Sequence, residues 1–156
     1  MGLRSAAIPP ERHRMPSNFT FKLSNALHRA RLRISFGRWG RDYYGMPALS
    51  LTTIGRKTGR RHTVMLTAPI VEGDDYIVVA ARAGDPTHPA WYLNLRDNPD
   101  VEVAFRNGPI RPMTGRTLPP EERVSLWPRL IETFPLYGEY QQQTERGLPL
   151  IRLTAR

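Results

Sequence analysis

The chain has 156 residues, no cysteine, and 23 basic against 14 acidic side chains, a formal charge of +9. That length suits one ordinary domain with a real core, and the missing thiols exclude disulfide frameworks, cysteine nucleophiles, Cys-type zinc sites and iron–sulfur clusters. The excess charge is local, since 13 of the basic groups and 2 of the acidic ones fall within residues 1–62; a basic patch suits nucleic acid, anionic lipid or a polyanionic small molecule, and composition does not choose among them.

No run approaches the roughly 18 apolar residues of a spanning helix, and the opening residues lack a signal peptide's apolar core. Met1-Gly2 invites myristoylation, but Ala6 stands where that motif takes Ser or Thr. The expectation is a cytoplasmic protein, soluble or peripheral on the inner face of the membrane.

Residues 1–18 mix prolines and arginines without apolar periodicity and are expected to form a disordered tail. Over 19–40, Leu23, Ala26, Leu27, Ala30 and Ile34 recur at helical spacing among arginines, which predicts an amphipathic basic helix. Packing on the domain is the first reading of that helix, and contact with anionic lipid headgroups the second.

Residues 46–54 alternate and predict a strand leading into LTTIGRKTGRRH, Leu51 to His62. Gly55 and Gly59 bracket a turn holding Arg56 and Lys57, so backbone N–H groups and cations can face one anion; a solvated basic hairpin tip is the alternative. His62 to Val71 continues as a second strand, with Pro69 marking an edge or bulge. Gly73-Asp74-Asp75 is turn chemistry, and Tyr76 to Ala81 is an apolar, β-branched run fit for a buried strand.

A Gly/Pro loop then opens a short helix from Pro89 to Asp97. Val101 to Phe105 alternates, Asn107-Gly108 signals a two-residue hairpin, and Pro112 makes the return strand toward Leu118 an edge or a broken one. Pro119-Pro120-Glu121-Glu122 opens a helix expected to turn Val124, Leu126, Trp127, Leu130 and Ile131 inward, with a kink or join at Pro128. A further helix over 135–146 carries Tyr137 and Tyr140, and Leu148 to Leu153 closes as a strand. The order predicts an α+β fold, a mainly antiparallel sheet or small barrel with helices inserted over it.

LTTIGRKTG, VVAARAGDPTHPAWYLNLRDNPDVEV, EERVSLWPRL, FPLYGEYQQQTER and LPLIRL, in that order over residues 46–154, resemble the deazaflavin-dependent nitroreductase family of actinobacteria. The resemblance implies a split β-barrel related to FMN-binding oxidases, occupying 46–154 of a single domain at 19–156. It implies an oxidoreductase that binds reduced coenzyme F420 and passes its hydride to a quinone, nitro or enone acceptor.

By the same resemblance, Arg56 and Lys57 grip the coenzyme's phosphate and acidic tail, and Gly59 lets the backbone approach. Arg82 replaces a family lysine at the phosphate, and His62 replaces a family arginine, with Arg60 or Arg61 in compensation. Ala80, Ala81 and Gly84 form a small-residue wall for the ring, and Pro89, Ala90 and Trp91 line the site; a strand end, a loop glycine and a core aromatic are the alternatives. Tyr137 and Tyr140, three apart on one helix face, match tyrosines that close over the acceptor and assign those residues catalysis; core packing is their alternative. Phe134 and Ala81 stand where relatives have hydroxyls, which bears on nitro-substrate recognition. His88 is assigned no chemistry.

Three other readings remain at this stage: an FMN-dependent barrel, a barrel that binds deazaflavin or a lipid-like ligand without turnover, and a nucleic-acid-binding domain. The last lacks a recognition motif or an aromatic–basic platform.

Overall fold

The computed structural model describes residues 42–43 and 45–156. The tail expected at 1–18 and the basic helix expected at 19–40 lie outside the described residues.

A short β1 (Asp42–Tyr43) precedes β2 (Met46–Ile54), which is followed by β3 (Arg61–Thr67), β4 (Ile70–Glu72) and β5 (Asp75–Val79). Helix α1 (Ala90–Asp97), strands β6 (Asp100–Phe105) and β7 (Ile110–Thr117), helices α2 (Pro120–Thr133) and α3 (Leu136–Gln142), and strand β8 (Leu150–Ala155) complete the order. Every strand pairing is antiparallel, running β3-β2-β6-β7-β8-β5-β4 with β1 added at the start of β2. The result is the curled half-barrel that the fold class anticipated.

Parity along the central strands explains why they are apolar throughout. Tyr76 and Val78 of β5 join one core with Ile151 and Leu153 of β8, while Ile77 and Val79 join a second core with Leu148 and Leu150. Alternate side chains leave opposite faces of a sheet, so both faces are covered here. Trp91, Tyr92 and Leu95 of α1 close the first core, and Leu130 of α2 and Tyr137 of α3 close the second. Helix α1 sits hard on β7: a Cβ added at Gly115 would lie 2.4 Å from Leu95 Cδ1.

Several local expectations are corrected. The second strand breaks at Ala68-Pro69 into β3 and β4. Strand β7 is interior, paired to β6 and β8, and tolerates Pro112 because that residue lies one position past the last β8 pair, Met113 with Ala155. The Pro112 carbonyl accepts from the Arg156 N–H, so the missing donor faces the same frayed side.

The β6–β7 turn centres on Arg106 and Asn107, both at positive φ, one residue ahead of the expected pair. Helix α2 runs through Pro128, which is exposed, as is Val124, whose carbonyl loses its helical donor to the proline. Helix α3 ends at Gln142, short of the expected Arg146.

Candidate functional site

The β2–β3 hairpin keeps register to its tip, with Thr53 opposite His62 and Ile54 opposite Arg61. Between them the turn spends most of its own amides: Gly55 N–H donates to Arg60 O at 2.7 Å, Gly59 N–H to Gly55 O at 2.7 Å, Thr58 N–H to Gly55 O at 3.2 Å and Arg60 N–H to Thr58 Oγ1 at 3.3 Å. The expected fan of backbone donors is thus mostly consumed inside the loop. The Lys57 amide is left without a partner among the described residues, and the anion-binding capacity rests on side-chain cations.

The two glycines serve different ends. Gly59 adopts φ +64, whereas at Gly55 a Cβ would meet Thr58 Oγ1 at 2.7 Å and His62 Nε2 at 2.8 Å. One is needed for conformation and the other for space.

The sequence reading passed over Asn94. It is only 6% exposed on α1, accepts the Arg56 N–H on Oδ1 at 3.1 Å, and donates from Nδ2 to Thr53 Oγ1 at 3.3 Å. This one amide ties the basic turn to the helix and to β2. Its available signal was position: three residues after Trp91 it shares that residue's buried helix face, where a polar group must find partners.

Turn and helix form a cleft of about 550 Å³, lined by Arg56, Lys57, Arg61, His62, Ala90 and Trp91 together with Val64 and Asn94. That volume falls within the range of small-molecule sites. Arg56, Lys57 and Arg60 are exposed and make no ion pair among the described residues. Arg61 differs, since both arms of its fork engage Glu102 and hold that carboxyl below the usual carboxylate range.

Six of the expected coenzyme residues, Arg56, Lys57, Arg61, His62, Ala90 and Trp91, therefore share one cleft. Gly59 lies on the turn, and buried Pro89 caps the start of α1.

A second group forms around the loop after β5. Ala80 and Ala81 are buried, and Arg82, Ala83 and Gly84 follow at φ +48, +51 and +77, a left-handed turn closed by Gly84 N–H to Ala81 O and Asp85 N–H to Arg82 O, each at 3.1 Å. The Arg82 guanidinium donates to Thr87 Oγ1 at 2.6 Å and lies 3.7 Å from the Asp85 carboxylate. Hydrogen bonds from Thr87 hold the Asp85 carboxyl below its ordinary value.

Tyr137 and Tyr140 face each other edge-on, with ring centroids 6.3 Å apart. The Tyr137 hydroxyl sits 3.0 Å from Thr67 Oγ1 and donates to Met46 Sδ at 3.5 Å, and burial pushes its pKa up to about 12. Phe134 packs against the same core.

The two groups are joined by the 85–89 loop and by β3, whose first residues border the cleft and whose last, Thr67, meets Tyr137. Six residues of strand span roughly 20 Å. Among the described residues no cluster of His, Cys, Asp or Glu is suited to a metal, and no helix is long and apolar enough to cross a membrane.

Residues 25–155 match the model of the F420H(2)-dependent quinone reductase family. An F420H(2)-dependent quinone reductase of Mycobacterium tuberculosis is 39% identical over 135 residues, 83% of this chain and 89% of that protein. The solved structure of an F420-H2 dependent reductase (FDR-A) superposes with a TM-score of 0.60 at 38% identity, covering 69% of this chain and 93% of that one. A second solved chain, described as a domain-swapped dimer, gives a TM-score of 0.62 at 33% identity over 82% of this chain and 96% of its own.

Proposed function

Because the chain belongs to the F420H(2)-dependent quinone reductase family and is an F420H2-dependent reductase of quinones, we propose which of its residues perform that work. The observation that carries the assignment is the charge of Arg56 and Lys57, which make no ion pair among the described residues, on a cleft also lined by Trp91 and Val64.

The donor set fits the coenzyme. Its acidic tail and phosphate require cations, and its flat ring requires an apolar slot. Arg56 and Lys57 take the anionic end, each charge-assisted contact being worth roughly 1.5–3 kcal/mol. Asn94 keeps Arg56 aimed by holding its amide, and Trp91, Ala90 and Val64 flank the ring and keep water from it. Arg82 and the small residues Ala80, Ala81 and Gly84 form the opposite border. When bound, reduced F420 supplies the hydride.

The protein must hold donor and acceptor near contact and stabilise the oxygen that gains charge. With its pKa near 12, the Tyr137 phenol stays protonated at neutral pH and acts as a hydrogen-bond donor, never as a base. Tyr140, less buried and set edge-on against it, orients the acceptor oxygen while Tyr137 braces it. The names of the relatives favour a quinone over the nitro and enone acceptors also expected, and Phe134, which offers no hydroxyl, fits that narrower role.

The test mixes protein, reduced F420 and menadione, and follows return of the oxidised coenzyme's visible absorbance in a single turnover. Reoxidation that scales with protein, together with binding of F420 in preference to FMN, supports the reading. Tight FMN binding with no response to F420 would overturn it in favour of the flavin alternative, and F420 binding without reoxidation would favour a carrier.

A further inference from the structure

Arg146 lies in the segment that follows α3, and its guanidinium serves neither a carboxylate nor solvent first. Nη1 donates to Ala80 O at 3.1 Å, Nη2 to Ala81 O at 2.8 Å and Nε to Asp85 O at 2.8 Å. All three acceptors are main-chain carbonyls of the loop between β5 and α1. Nη1 also lies 3.3 Å from His88 Nδ1, further along the same loop.

A second contact joins the same two segments. A Cβ added at Gly84 would stand 2.7 Å from Tyr140 O and 2.8 Å from Gln143 Cβ, so loop and helix end are packed backbone to backbone. The loop needs such support, because Arg82 and Ala83 are non-glycine residues held at φ +48 and +51. Such conformations persist only where the surroundings over-determine them.

The peptide geometry gives the arrangement a direction. In a trans peptide the N–H points opposite to the preceding C=O. With the carbonyls of Ala80 and Ala81 drawn to Arg146, the amides of Ala81 and Arg82 are turned the other way. Successive amides of this kind, beside an arginine, form an anion-binding concavity.

We propose that Arg146 is a positioning residue for the coenzyme: its fork fixes the left-handed turn at 81–84, aims the Ala81 and Arg82 amides and the Arg82 side chain at the anionic part of F420, and couples that loop to the phenols of α3. Arg146 itself touches neither coenzyme nor acceptor. The inference rests on the reading above that the 80–84 loop borders the coenzyme.

F420 affinity, measured by titration without acceptor, is compared in wild type, Arg146→Met, Arg146→Lys, Arg82→Ala and Val103→Ala, a core truncation on β6 outside both segments. Amide hydrogen exchange at Gly84 and Asp85 is followed in the same proteins without coenzyme. Arg146→Met is expected to weaken F420 binding about tenfold, one charge-assisted contact's worth, and to speed exchange at both amides. Arg146→Lys, with the charge but not the fork, recovers only part of the affinity. Val103→Ala lowers the melting temperature and leaves affinity and those two amides unchanged.

Wild-type affinity in Arg146→Met, or full recovery by lysine, overturns the role assigned to the fork. Weakened binding in Arg82→Ala with unchanged binding in Arg146→Met overturns the inference alone. Unchanged binding in both removes the loop from the coenzyme site and the inference with it. Unchanged binding in Arg82→Ala with weakened binding in Arg146→Met supports Arg146 as the holder of the amides and removes only the Arg82 side chain.

Discussion

The hydroxyl of Tyr137 lies 3.0 Å from Thr67 Oγ1, which pins the phenol-bearing helix α3 to the far end of the strand that leaves the basic turn. Burial raises the phenol's pKa and the Thr67 bond opposes that rise. Replacing Thr67 by Val removes the opposing bond, so the phenol titrates later still and stability falls by about 1 kcal/mol. Because the folded pKa of about 12 exceeds the ordinary value of 10.0, the associated stability is complete below the ordinary value and is lost as pH climbs from there toward the folded one. Phenolate absorbance during an alkaline titration of wild type, Thr67→Val and Tyr137→Phe reads this directly.

Asn94 predicts a loss in two currencies. Asn94→Ala leaves the Arg56 amide and Thr53 hydroxyl without their partner, and should cost about 1–3 kcal/mol of stability along with several-fold weaker F420 binding. Thr53→Ala should cost stability with little loss of affinity, since it leaves the Arg56 contact in place. Equal affinity losses in the two variants would contradict the assignment.

His88 makes folding sensitive to mild acid. Desolvation first, then the charges of Arg146 and Arg96, lower its pKa below 6.5. The unfolded chain therefore binds the proton first as pH falls, and the stability this neutral ring contributes is present above that value and lost on descent to the folded pKa. Melting temperatures from pH 8 to 5 should fall more steeply for wild type than for His88→Gln.

Two left-handed glycines should respond unequally to alanine. Gly59, at φ +64 with nothing within 4 Å of an added Cβ among the described residues, should cost about 1 kcal/mol for the conformation alone. Gly84, at φ +77 against the Tyr140 carbonyl, should cost more and also weaken F420 binding. Chemical denaturation compares them.

Strand and helix identities were legible because alternation in residues 46–54 and turn chemistry around Gly73 and Pro89 are local signals. Failures came where a neighbour decided the outcome. Pro112 reads as an edge signal, yet β8 ends in time for an interior strand to carry it. Val124 sits among apolar residues but on the outward face of α2. Asn94 and Arg146 were not singled out because their partners lie far along the chain, 38 residues away for the Arg56 amide and 65 for the Ala81 carbonyl. The basic turn was visible as a motif, whereas the internal use of its amides and the Arg61–Glu102 pairing depend on the folded hairpin. The family was carried by order and spacing of five segments, which no single motif supplied.

The most direct measurement of the central claim is F420 affinity at low ionic strength in wild type, in the Arg56→Ala, Lys57→Ala double variant and in Tyr140→Phe, with turnover of menadione recorded alongside. The account predicts that the double variant binds at least tenfold more weakly, with its residual binding less sensitive to salt, while Tyr140→Phe binds normally and turns over slowly. Wild-type affinity in the double variant would contradict it.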